Sequence, residues 1–410
     1  MRFRIGCLLA VVFAVSNGLH SCCGSEFIPL NNPSDIDFWS GATAISFDGS
    51  VVTGEGLQLP AGSAFANAFI WTDFYGRVDL QGASEIMPMS TKARGVTSNS
   101  NVVGTIFDGL NAPMAYRWTQ NEGFVNLGFL SDDGAAASYG EGISRDGTII
   151  VGSSTSTNGD SEAFYWTEQQ GMQGLGDLPG GDFNSRAIGI SNDGASVVGQ
   201  ATSEIGQQAF YWTATTGIVG MGDLEGGEFY GYATDISNNG DVIVGSSSST
   251  QSGTRLEAFR WTEQNSFESL GSLVGNSFYS YAEAISGDGT VVVGTSVGPA
   301  DTAYDCAFVW DTSHGMRNLQ EVLAGHFGLE TALTGWQLIT ATDISSDGLS
   351  IVGRGINPEG QFEAWLAQLD HQFGLPEPPT FLLTLFSFAL ASRWRYWSNN
   401  YVSHLKSGNT

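Results

Sequence analysis

The side chains of this chain best suited to binding or chemistry recur at a regular interval. Seven of them, Trp39, Tyr139, Arg186, Tyr230, Tyr232, Tyr279 and Tyr281, fall in short connectors. Those connectors read Phe38-Trp-Ser-Gly, Phe183-Asn-Ser-Arg, Phe229-Tyr-Gly-Tyr and Phe278-Tyr-Ser-Tyr, with Ala136-Ala-Ser-Tyr as a variant. The Phe recurs and reads as core, whereas the positions after it vary. Rings with polar edges around a concave opening suit the apolar faces of sugars, and they suit a protein partner equally well. A purely structural reading has the same tyrosines wedging neighbouring sheets apart. Three acids lie close by in sequence, Glu141, Asp235 and Glu283. Two of them held about 5–10 Å apart would form the acid pair of a polysaccharide-cleaving enzyme. Carboxylates spread evenly around a ring would instead favour binding.

Other reactive types offer little. His314 and His326 are twelve residues apart beside a turn and a helical stretch, which is weak support for a metal site. No metal and no cofactor is expected. Cys306 reads as a small side chain flanking a strand, since Cys7, Cys22 and Cys23 all lie near the N-terminus and no disulfide framework forms. Asp48, Asp146, Asp193, Asp288 and Asp347 each precede a glycine and read as turn residues; a calcium loop would need several alternating acids in one place.

The elements that must position these residues repeat about every 47 residues. Each copy has a valine-rich run closed by a glycine, at 54, 104, 152, 199, 245, 294 and 353. A tryptophan follows each run: Trp71, Trp118, Trp166, Trp212, Trp261, Trp310 and Trp365. Gly, at 55 residues, is about twice as common as usual, as expected when every short strand ends in a tight turn. One copy, residues 229–273, predicts strands at 232–237, 241–246, 256–262 and 267–270. Alternation in the third strand puts Phe259 and Trp261 on one face and Ala258 and Arg260 on the other. Four short antiparallel strands per copy are a propeller blade, and one blade cannot bury its aromatic face alone. The expected fold is therefore all-β, a seven-bladed β-propeller of four-stranded antiparallel blades over residues 26–370. The tryptophans are its structural core. The last copy lacks a fourth strand, and Glu26–Leu30 is placed to supply it, closing the ring and removing its edges. Residues 318–329 have helical spacing and predict a short helix on the rim.

Composition bounds the partners. A net charge of −27 argues against nucleic acid and anionic membrane surfaces. Residues 1–24 show the basic, apolar and small-residue order of a secretory signal peptide, with an apolar run too short to span a bilayer. Leu19-His-Ser-Cys22 offers a lipoprotein reading of the same region. At the other end stand Pro376-Glu377-Pro378, the apolar stretch Phe381 to Ala391, and Arg393-Trp-Arg395, followed by a polar tail over 396–410.

The segment 371–395 resembles the PEP-CTERM sorting signal of exosortase-dependent bacterial surface proteins, with Pro376, Glu377, Pro378, Arg393 and Arg395 as its marks. That resemblance implies an exosortase-type processing enzyme as a partner and transient membrane contact through the C-terminal segment; a plain C-terminal anchor is the other reading. The copies themselves, in Leu175-Gly-Asp-Leu-Pro-Gly-Gly181, Ala187-Ile-Gly-Ile-Ser191 and Ala209-Phe-Tyr-Trp212, resemble the bacterial extracellular repeats named for a His-Ala-Phe tripeptide. The resemblance spans about residues 40–369, but the His is replaced by Glu162, Gln208, Glu257 or Cys306. It implies a secreted, propeller-like protein and no established activity. The expectation is a non-catalytic propeller at the cell surface or in the polysaccharide matrix, binding an extracellular glycan or surface protein. The alternative is a hydrolase or lyase acting on extracellular polysaccharide.

Overall fold

The computed structural model describes residues 24–31, 39–57, 66–80, 90–107, 109, 112–274, 279–298 and 304–373. The fold is an all-β propeller. Unit 5 of the repeat shows the plan, with strands Gly231–Ile236, Val242–Ser247, Glu257–Thr262 and Ser266–Gly271 paired in sequence order. Units 2 to 6 each form a separate four-stranded antiparallel sheet of this kind. Units 7 and 1 depart from the expected separate blades. A single parallel pairing, Trp39 with Phe362, joins them into a sheet of eight strands. Within it the N-terminal strand Glu26–Pro29 runs antiparallel to Phe362–Gln368, Glu26 facing Gln368 and Pro29 facing Trp365.

The core lies between sheets. The alternation of the third strand gives each sheet a face of small residues and a face of large aromatic ones, and the first receives the second. Val103, Ala115 and Leu127 of unit 2 meet Ile150, Phe164 and Trp166 of unit 3. Val352, Ala364 and Leu366 of unit 7, with Leu30, meet Ala42, Val52, Phe69 and Trp71 of unit 1. Each buried aromatic contributes about 2–3 kcal/mol. Trp71, Trp118, Trp166, Trp310 and Trp365 are buried, but Trp212 and Trp261 are only half-buried, so the tryptophans are not uniformly core.

The repeated glycine lies within its strand, and a close approach of backbone requires it there. Gly152 lies inside the strand Ile149–Thr155, not at its end. A Cβ there would run into the carbonyl oxygen of Tyr139 and the ring of Phe164; the carbonyl clash recurs at Gly54, Gly104, Gly199, Gly245, Gly294 and Gly353. The cause is a bulge in each inner strand. In unit 3 the pairing slips between Gly140 and Gly142, leaving Glu141 as the extra residue. The same slip sets out Thr43, Arg94, Ile188, Thr234, Glu283 and Thr342. Bulges re-aim side chains, and these seven come to line one central cavity.

The Asp-Gly turns form as the sequence indicates. Asp146 accepts hydrogen bonds from the Ser144 hydroxyl at 2.8 Å and the Thr148 amide at 3.0 Å, and Gly147 takes φ of 75°. The rim helix spans Leu319–Gly325. Asn318 caps it by accepting from the Glu321 amide, and Leu319, Val322 and Leu323 are buried against units 6 and 7.

Candidate functional site

The inner strands surround a cavity of about 410 Å³. Turn residues at one end of it bond one another. Asn238 accepts from the Asn192 amide and donates to the Ser346 hydroxyl at 2.7 Å. Both side chains lie over Gly287, where a Cβ would strike Asn238 and Ser346. Opposite, the Arg145 guanidinium lies 3.8 Å from the centre of the Phe47 ring. Backbone bonds tie the turns together, Asn238 N to Gly287 O at 3.0 Å and Gly287 N to Ser346 O at 2.9 Å.

The acids lining this cavity fall into three states. Asp235 and Asp343 sit one residue past the bulge in units 5 and 7, in the same sequence, Ala-Thr-Asp-Ile-Ser. Asp235 accepts from its neighbour Ile236 N at 2.8 Å and, across the sheet gap, from Ile285 N at 2.9 Å. Asp343 does the same with Ile344 N at 2.7 Å and Ile45 N at 2.7 Å, so it ties unit 7 to unit 1. Burial pushes the Asp235 carboxyl up to about 6 against the pull of its two amides. Burial, with the nearby Asp235, takes Asp343 to about 8. Glu141 is held differently, in ion pairs with Arg186 and, at 3.8 Å, with Arg94. Glu283 occupies the same repeat position as Glu141, yet among the described residues nothing hydrogen-bonds it. Burial lifts its carboxyl to about 7, with the Arg94 charge opposing that rise.

Above the cavity the structure gathers four of the seven sequence-predicted connector residues. Tyr279 and Tyr281 meet edge to face with ring centres 5.4 Å apart. The Tyr279 hydroxyl donates to Asp305, and the Arg255 guanidinium stands 5.6 Å from its ring centre. Tyr232 and Tyr281 are close enough to Tyr230 and Glu283 for those groups to add to the burial that raises their own phenols. Tyr230 is 43% exposed. Beyond Asp305 lies a second cavity of about 370 Å³, lined by Tyr304, Asp305, Arg354 and Phe362. Tyr304 meets Phe362 at 5.9 Å, and Phe362 pairs with Trp39. The result is an arc of aromatic rings over units 5, 6, 7 and 1.

Tyr139 and Arg186 stand apart from this arc, on the inner strands of units 3 and 4, and Arg186 is engaged by Glu141. Glu141, Asp235 and Glu283 lie on inner strands, not in connectors. Sequence reasoning missed Tyr304, Phe362 and Asp343, although the shared Thr-Asp of units 5 and 7 was a visible signal for the last. It also missed the hydroxyl in the connectors. Ser185 accepts from Ala163 N at 2.9 Å and donates to Gly176 O, stapling its strand to the preceding sheet. Ser138 and Ser280 do the same. Just before the Ala-Phe of their third strands, Glu162 and Gln208 accept from Gly176 N and Gly222 N at 3.0 Å, so the position serves the fourth strand. His314 pairs with Asp311 and does not meet His326. Among the described residues no helix is long and apolar enough to cross a membrane. Residues 1–23 of the segment 1–24 read as a signal peptide, and Pro376, Glu377, Pro378, Arg393 and Arg395, lie outside the described residues.

No family model matches the chain, and no curated protein does. Solved structures share its fold. Puromycin hydrolase, as an S511A mutant complexed with PGG, is 12% identical with a TM-score of 0.52, over 85% of this chain and 57% of that one. A second puromycin hydrolase structure is 14% identical with a TM-score of 0.50, covering 82% and 54%. This chain therefore spans a little over half the length of those proteins. TolB from Acinetobacter baumannii aligns at 11% identity and a TM-score of 0.43, covering 79% and 81%. Likeness at this level concerns architecture alone.

Proposed function

We propose that the chain is a secreted, seven-bladed β-propeller that binds a glycan on the aromatic arc of units 5 to 7 without transforming it. One observation carries this reading: Tyr230, Tyr232, Tyr279 and Tyr281 share one side of the mouth, with Asp305 and Glu283 at their polar edges. Rings of this kind stack on sugar faces while hydroxyls and carboxylates take the sugar hydroxyls. Seven blades follow if the eight-stranded sheet divides at its single parallel pairing, since each half then has four strands. The apolar clusters also link unit to unit and return from unit 7 to unit 1.

The extracellular setting rests on the N-terminal signal-like segment and on the Pro376-Glu377-Pro378 region, which together favour export and sorting by an exosortase-type enzyme. The polysaccharide-cleaving alternative has less support. Asp235 is engaged by two amides and Glu141 by arginines, which leaves Glu283 alone of the three with no hydrogen bond among the described residues. A glycan array probed with residues 26–370 tests the reading. Retention of acidic or neutral polysaccharide fragments, lost in Tyr281→Ala, is expected; no retained glycan contradicts it.

A further inference from the structure

Two histidines that the cavity does not use meet where the propeller body ends. His326 is the C-cap of the helix Leu319–Gly325, and its backbone N–H bonds Val322 O at 2.8 Å. His371 follows the last strand, Phe362–Gln368, by three residues. Their Nε2 atoms are 3.2 Å apart, with ring planes at 61°. Asp370 Oδ1 lies 2.7 Å from His371 Nδ1 and also accepts from the Ser25 hydroxyl at 2.8 Å. Phe327 packs against both imidazoles, at 4.9 and 4.7 Å, and Phe373 backs Phe327 at 5.1 Å.

This arrangement fixes tautomers. With Nδ1–H of His371 donated to the carboxylate, its Nε2 presents a lone pair towards His326. A carboxylate behind an imidazole is the usual outer partner of a metal-binding histidine, and an apolar wall beside it is a second common feature. The spacing also matches: two imidazole nitrogens on one tetrahedral zinc, each about 2.0–2.1 Å from it, stand about 3.3 Å apart. We propose that His326 and His371 form a two-histidine site for a divalent transition metal, with Asp370 orienting His371. Among the described residues no group of three or more His, Cys, Asp or Glu is arranged around a metal. Water or an external donor therefore completes the coordination, and the site is open to exchange. Without metal, His326 donates its Nε2–H to His371. On binding, that proton moves to His326 Nδ1, and both rings stay neutral. The metal would clamp the end of the body onto the rim helix.

Calorimetric titration of the chelator-treated full-length protein with Zn²⁺ tests this. One site is expected that weakens by about tenfold or more in His326→Gln and in His371→Gln, and by a similar factor in Asp370→Asn. Glutamine keeps a polar side chain and the His326 backbone cap is untouched, so both variants are expected to fold, with only a small drop in melting without metal from the lost ring contacts with Phe327. With Cu²⁺ as a second probe, electron paramagnetic resonance should show coupling to two nitrogens, reduced to one in either variant. The proposal is overturned if the wild type takes up no Zn²⁺ at this site, or if both variants bind it as the wild type does.

Discussion

Glu141 and Glu283 stand at the same bulged position of the same repeat, three units apart around one cavity, and they live in opposite environments. On the side of units 2 to 4, Arg94 and Arg186 hold Glu141 as a charged partner. On the side of units 5 to 7, Glu283 stands among tyrosines and the clamped Asp235 and Asp343, and all three carboxyls are pushed upward. The repeat supplies the place, the bulge supplies the direction, and the neighbours decide the charge. A wall already satisfied by its own ion pairs has little to offer a ligand. A side with underused polar edges and exposed rings has more.

The largest effect that would break this contrast concerns Asp343. Asp343→Ala leaves Ile45 N and Ile344 N without their acceptor and should cost about 1–3 kcal/mol in chemical denaturation. The loss should depend on pH with a definite sign. A carboxyl whose folded value lies above its unfolded value stabilises most below the unfolded value, and that stabilisation is lost as pH rises through the folded value. Wild-type stability should therefore fall between about pH 4 and pH 8 relative to the variant, narrowing the gap; the shift to about 8 sets the upper end. The turn acids act in reverse. Asp48, held near 2 by hydroxyl and amide donors that outweigh its burial, contributes above the unfolded value and loses that contribution as pH falls towards 2.

A smaller effect separates the two glutamates. Glu141→Gln removes the countercharge of two partly exposed arginines and should lower stability by about 1 kcal/mol at pH 7, after allowance for solvent screening. Glu283→Gln should be neutral at pH 5 and slightly stabilising at pH 8, where it spares the cost of a buried charge. Thermal melts of both variants at the two pH values check this, and equal shifts of the same sign would erase the contrast. Apart from that contrast, Trp365→Ala should cost about 3–5 kcal/mol and Trp212→Ala less, because Trp365 is fully buried and Trp212 half-buried.

Much of the architecture was legible in the sequence because it is local. The strands of residues 229–273, the Asp-Gly turns, the helix at Leu319–Gly325 and the pairing of Glu26–Pro29 with the last unit all follow from periodicity and counting. What stayed hidden depends on which residues of adjacent strands and of different units meet. The repeated glycine was placed in its strand, but its close approach to a carbonyl of the adjacent inner strand of the same unit was not visible. Ser185 looked like a linker residue because its partners are Ala163 and Gly176 of the previous sheet. The tyrosines were legible as a group, but their division between sides was not. Tyr139 shares the pattern of Tyr281, and only the surroundings separate them.

That separation gives the most direct test. A glycan retained on the array should be titrated into the wild type, Tyr281→Ala and Tyr139→Ala. The account predicts a loss of affinity of tenfold or more, about 1.4 kcal/mol, for Tyr281→Ala and a change within about twofold for Tyr139→Ala. Equal losses in the two variants, or a loss confined to Tyr139→Ala, would contradict it.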